Sequence, residues 1–284
     1  MSKILIATDG SKVGEEMVHY ALDLASALKF EVFVIYVSDE PLKEGSHEPT
    51  VGELAVQYAV EEATKRGIQV ESEIVFGVPA VDIVKKANDI GAKAIVLGSV
   101  GRSGLSLWIV GSVAERVIKL AYGPVIVVRN PEREDGTTKM EKMLIATDGS
   151  EANEAAVRSG LRLAYRLGMK VSTISVNDVR EIPHTNSAEF REEMNDVSKM
   201  AVAKVIHQGS QMGIRVDPII EDGIPYKEIT ERSSDYDIVV IGTLGHSGFF
   251  DFRVGSVAEK VVRYSKCPVM VVRASDIFVP TDSF

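Results

Sequence analysis

The chain has 284 residues, 45% of them apolar and 26% charged, and a formal net charge of -9 at pH 7. That length accommodates two domains with a core in each, and the acidic balance argues against nucleic acid or an anionic membrane as a main partner. Cys267 stands alone, which excludes a disulfide within the chain and suits a reducing compartment; with no apolar run of spanning length and no signal-peptide pattern, a soluble cytoplasmic protein is expected.

In chain order, short apolar runs alternate with longer helical patterns. The runs predict strands over residues 3–8, 31–37, 69–75, 93–98 and 124–129. Their near-continuous apolar character fits parallel strands covered on both faces. Between the first two, Met17, Val18, Ala21, Leu24, Ala25 and Leu28 take the three-and-four spacing of an amphipathic helix. Residues 38–52 read as a long loop, and 177–189 as its counterpart further on. Strand–helix alternation of this kind predicts a doubly wound α/β sheet, with ligands beyond the strand carboxyl ends where strand order reverses.

The pattern then repeats. Lys3–Ser11 matches Lys142–Ser150, Gly77-Val78-Pro79 matches Gly223-Ile224-Pro225, and Gly123–Arg129 matches Cys267–Arg273. The period is far longer than a solenoid unit, so the chain reads as two whole domains, 1–129 and 142–274. A polar segment with Pro131 and Gly136, residues 130–141, is the expected linker, and 275–284 the expected tail.

The motif with most chemistry in it also occurs twice. Gly98-x2-Gly101-x9-Gly111-Ser112 recurs as Gly242-x2-Gly245-x9-Gly255-Ser256, each time between a strand and a helix. Backbone N–H groups can converge there under a favourable helix dipole, which suits phosphate; the competing reading is tight-turn chemistry alone. No Gly-Lys-Ser/Thr closes the loop, so it is not the Walker type. Ser112 with Glu115, and Ser256 with Glu259, read as capping boxes whose serines could also face a phosphate. Asp9 and Asp148 end the first strand of each copy in an Asp-Gly-Ser turn, either as an Asx turn or as an acceptor for an adenine amine or ribose hydroxyl. Arg102 and His246 hold equivalent loop positions and could reach a polyphosphate or lie at a solvated tip. Arg253 could serve phosphate where Trp108, in the first copy's loop, could not. The histidines have no zinc-ligand spacing, and no convincing general acid–base set is present.

On these residues the chain resembles a tandem universal stress protein, whose nucleotide signature both glycine motifs match. The resemblance implies a five-stranded parallel sheet of order 3-2-1-4-5 in each domain, with ATP or AMP over the first and fourth strands, with or without Mg2+. By position, it would place Asp9, Val37, Gly98, Gly101, Gly111, Ser112 and Val113 around the nucleotide in the first domain. In the second, Asp148, Val176, Gly242, Gly245, Gly255, Ser256 and Val257 would do the same. Trp108 departs from the basic residue that many relatives carry nearby. The resemblance also implies an internal pseudo-dimer through Val125–Arg129 and Val269–Arg273, besides a possible homodimer and an unidentified protein partner.

Three functions follow as expectations. The first is a stress-response protein that changes conformation or contacts on binding nucleotide. The second is a slow ATPase or phosphate-transferring enzyme, and the third a nucleotide-free scaffold.

Overall fold

The structure, a computed structural model, describes residues 2–39, 49–99, 111–129, 138, 140–181, 187–243 and 255–273. The chain divides into two compact units near residue 138. The first contains β1 (Lys3–Ala7), α1 (Lys12–Leu28), β2 (Glu31–Ser38), α2 (Val51–Lys65), β3 (Val70–Phe76), α3 (Pro79–Asp89), β4 (Ala94–Gly98), α4 (Ser112–Leu120) and β5 (Val125–Val128). Its strands are parallel in the order β3-β2-β1-β4-β5.

The second unit follows the same plan with β6 (Lys142–Ala146), α5 (Glu154–Leu167), β7 (Lys170–Asp178), α6 (Ser187–Gln211), β8 (Val216–Gly223), α7 (Pro225–Arg232), β9 (Ile238–Gly242), α8 (Ser256–Tyr264) and β10 (Val269–Val272). Its order is β8-β7-β6-β9-β10, again parallel. The expected 3-2-1-4-5 arrangement is therefore present in each unit.

The central strands explain their own composition. Ile4, Leu5 and Ile6 are fully buried, as are Met143, Leu144 and Ile145, because helices cover both faces of each sheet. In the first unit α1 packs with α2 and α3 with α4; α5 with α6 and α7 with α8 repeat this in the second. All six apolar positions expected on the first helix are buried. The strands of the first unit fall within one residue of their expected bounds.

The two long loops are shorter than expected. Thr50 starts α2 through a capping box: its side chain accepts from the Glu53 N–H at 3.2 Å, while Glu53 accepts from the Thr50 N–H at 2.7 Å. Val51 and Gly52 are thus helical. In the second unit β7 carries Asn177 and Asp178, a 3-10 turn follows over Val179–Glu181, and α6 begins at Ser187.

Residues 130–137 and 139 of the expected linker, and the whole tail, lie outside the described residues. Glu141 already belongs to the second unit, since its N–H and that of Lys142 each donate to Asp237 Oδ2 at 2.8 Å.

Candidate functional site

In each sheet the chain winds one way from its first strand and then returns to continue on the other side. The reversal lies between β1 and β4, and between β6 and β9. The carboxyl ends of these pairs are where an open α/β sheet leaves a crevice. Ala7 pairs with Leu97 and with Ile35, so Asp9, Gly98 and Val37 leave three neighbouring strands at one edge. Ile145 pairs with Val240 and Ala146 with Ile174, bringing Asp148, Gly242 and Val176 together in the same way. Val37 and Val176 are half-buried.

Asp9 forms an Asx turn. Its Oδ1 accepts from the Ser11 N–H at 3.0 Å and from the Ser11 hydroxyl at 2.7 Å. Asp148 does the same with Ser150, at 3.0 and 2.7 Å. Between them sit Gly10 and Gly149, at φ 73° and 77°, a left-handed conformation that favours glycine. Space enforces the choice too: a Cβ on Gly10 would lie 3.0 Å from Val51 Cγ1, and one on Gly149 2.9 Å from Ala201 Cβ. Thr8 and Thr147 complete each turn by accepting from the glycine N–H at 3.3 and 3.2 Å. The turn therefore exists in both copies, and it presents a carboxylate at the crevice.

The glycine motifs are pinned at both ends. The Gly111 N–H donates to the Ser99 carbonyl at 2.7 Å, and the Gly255 N–H to the Thr243 carbonyl at 2.7 Å. Each helix N-terminus is thereby brought back to the strand that preceded it. Here the structure corrects the capping-box expectation. Gly111 and Gly255 are the N-caps, so Ser112 and Ser256 are the first helical residues, and among the described residues no side chain caps either helix. Glu115 and Glu259 stand one position too far along to close a box; they bond Lys119 and Arg263 on their own helices. A glycine cap has no oxygen for the first-turn N–H groups, which suits an anion better than a serine cap would. Ser112 and Ser256 are exposed there, with Val113 and Val257 half-buried beside them.

Gly101, Arg102, Gly245, His246 and Arg253, like Trp108, lie outside the described residues. Sequence reading missed Ser99 and Thr243, whose buried hydroxyls have no hydrogen-bond partner among the described residues. It also missed Asn153, beside the second turn. Ser99 and Thr243 fall at unspecified positions inside the glycine motifs, and Asn153 falls where the two copies differ. Among the described residues no cluster of three or more His, Cys, Asp or Glu could hold a metal, and no helix is long and apolar enough to cross a membrane.

The universal stress protein family model matches residues 1–129 and again 139–273. The chain belongs to the universal stress protein family. A family member of Methanocaldococcus jannaschii is 40% identical over 143 residues, spanning 46% of this chain and 84% of the relative. One of Mycolicibacterium smegmatis is 26% identical over 286 residues, with 95% of this chain and 96% of the relative covered. Among solved structures, a universal stress protein of Archaeoglobus fulgidus covers 96% of this chain and 98% of its own, at a TM-score of 0.66 and 21% identity. That likeness concerns the fold. Two universal stress domains in one chain account for the repeat read from the sequence.

Proposed function

We propose that this universal stress protein binds an adenine nucleotide, ATP or AMP, at the strand carboxyl edge of each domain, and that binding changes the conformation it offers to a protein partner. The observation that carries the reading is the start of α4 and α8, where the N-cap residue has no side chain. Each has a glycine N-cap held against the end of β4 or β9, beside an Asp-Gly-Ser turn on the neighbouring strand. The N–H groups and helix dipole suit phosphate. The aspartate and the half-buried valine stand where an adenosine would need an acceptor and an apolar wall. The glycine-motif residues beyond the described segments, with Arg102, His246 and Arg253, belong to the same proposal as phosphate contacts. Pairing of the domains through their last strands belongs to it as well, on the resemblance alone.

A conformational output requires nucleotide to favour one state over another by differential affinity. Calorimetric titration of nucleotide-stripped protein with Mg-ATP tests the binding, with two sites per chain expected. Gly111→Val and Gly255→Val should each remove one. In the second domain the reason is visible, since a Cβ on Gly255 would lie 3.0 Å from the Thr243 carbonyl oxygen. Titration without heat at any nucleotide concentration refutes the reading. An unchanged limited-proteolysis pattern at saturating ATP refutes the conformational part alone.

A further inference from the structure

The two crevices differ in one buried polar group. At the carboxyl ends of β6 and β9, Asn153 Oδ1 and Thr243 Oγ1 are buried without a hydrogen-bond partner among the described residues, in residues only 5% and 4% exposed. Asn153 is fixed by its Nδ2, which donates to the carbonyl of Ala146, the last residue of β6, at 3.2 Å. The 3-10 turn that carries it, Glu151–Asn153, packs against β9. Thr243 follows Gly242, and its carbonyl receives the N–H of the α8 cap. A buried acceptor left without a donor is destabilising, so such atoms beside the ends of β6 and β9 mark a place that a ligand entering there can satisfy.

The first domain has Ser99 in place of Thr243, also buried and without a partner among the described residues. In place of Asn153, counted from the Asp-Gly-Ser turn, it has Gly14. A Cβ there would lie 2.9 Å from Asp9 Oδ1, so a side chain would displace that carboxylate from its turn. The first domain instead starts α1 directly, with Ser11 Oγ accepting from the Gly14 N–H at 3.0 Å. The second domain opens with the 3-10 turn, Asn153 N–H to Ser150 carbonyl at 3.1 Å, and α5 follows only from Glu154. That altered entry accommodates the asparagine.

We propose that Asn153 is a specificity-determining residue of the second nucleotide site, where its Oδ1 accepts a hydrogen bond from a donor of the bound nucleotide, the exocyclic amine or a ribose hydroxyl. The inference rests on the nucleotide reading above. It predicts that the second site rejects a nucleotide lacking the right donor, because the asparagine oxygen would stay buried and unpaired.

The test uses the full chain, stripped of nucleotide, with Gly111→Val to isolate the second site or Gly255→Val to isolate the first. Each is titrated with ATP, inosine triphosphate, 2′-deoxy-ATP and 3′-deoxy-ATP. One analogue should lose about tenfold more affinity, relative to ATP, at the second site than at the first. The analogue affected distinguishes amine from hydroxyl. Asn153→Ala and Asn153→Gly, the latter restoring the first domain's residue, should bring that analogue within about twofold of ATP. Equal discrimination at both sites, with ATP still bound, overturns this inference alone. So does a lowered melting temperature in the variants with the ratio unchanged, the mark of a purely structural asparagine. Wild-type protein that binds no nucleotide overturns the functional reading and this inference with it.

Discussion

Where the second strand of each domain meets its second helix, the two copies solve the same packing problem with opposite chemistry. In the first, the Tyr36 ring lies over Gly52, where an added Cβ would come within 2.6 Å of the ring. In the second, Ser175 and Ser198 stand at the corresponding places. Ser175 Oγ donates to Ser198 Oγ at 3.0 Å, Ser198 to Asn177 Oδ1 at 2.7 Å, and Asn177 Nδ2 to Asp222 Oδ1 at 2.8 Å. A large ring against a glycine and a small hydroxyl pair both fill the space, but one does so by apolar burial and the other by a polar chain. Changes at these paired positions are tolerated when volume and hydrogen bonding are conserved together.

The helix pair on that face diverges as well. In the first domain His19 bridges α1 to α2, with Tyr58 Oη 2.7 Å from Nε2 and Arg66 Nη2 2.8 Å from Nδ1. A guanidinium can only donate, so Nδ1 accepts and the neutral ring carries its hydrogen on Nε2, facing Tyr58. In the second domain Arg158 takes the position of His19 and pairs along its own helix with Glu154 at 3.5 Å, while Lys204 of α6 donates to the Gly149 carbonyl at 3.1 Å. The crevice edges kept their Asp-Gly-Ser turns and glycine caps through the duplication. The covered faces did not keep their partners. A turn built on a left-handed glycine leaves little choice of residue, whereas a packed face accepts different fillings of similar volume.

Substitutions at matched positions can break that comparison. The largest difference is expected from Tyr36→Ala, which empties a ring-sized space and should destabilise the first domain by about 3–5 kcal/mol. Ser175→Ala, its counterpart, removes one hydrogen bond while Ser198 keeps Asn177, and should cost only about 1 kcal/mol. Urea unfolding of each variant reads both, and similar costs would refute the contrast. Next is the helix entry: Ser11→Ala deletes an N-cap that Ser150→Ala does not, so the first should cost about 1 kcal/mol more. The smallest effect concerns acid. Lys65 and then Arg66 hold the Glu62 carboxyl down at about 2, from its usual 4.5. A carboxyl lowered by folding contributes stability above its unfolded value and loses it as pH falls toward the folded one. Glu62→Gln should therefore flatten the pH dependence of unfolding between about pH 4.5 and about pH 2, and the second domain, with Gln208 at the matched position, should show no such change.

Much of the fold was legible because the chain states it twice. Parallel strands buried on both faces leave unbroken apolar runs, so Ile4-Leu5-Ile6 and its repeat marked the sheet centres within a residue. The glycine spacing and the Asp-Gly-Ser turn marked the crevice, since a left-handed backbone and a close approach to a helix leave little choice of residue. What misled was local grammar read without position. Ser112 and Glu115 carry the letters of a capping box, but the helix starts after Gly111, which moves the pair one step out of register. The true box, Thr50 with Glu53, straddles the end of a stretch read as loop. By itself, then, the sequence determined two α/β domains, their strands and the crevice backbone, because these follow from periodicity and from residues with a single permitted conformation. Only the tertiary structure decided where the helices begin and that Asn153 and Thr243 hold buried oxygens with no partner among the described residues, because pairing and burial depend on atoms brought together from distant parts of the chain.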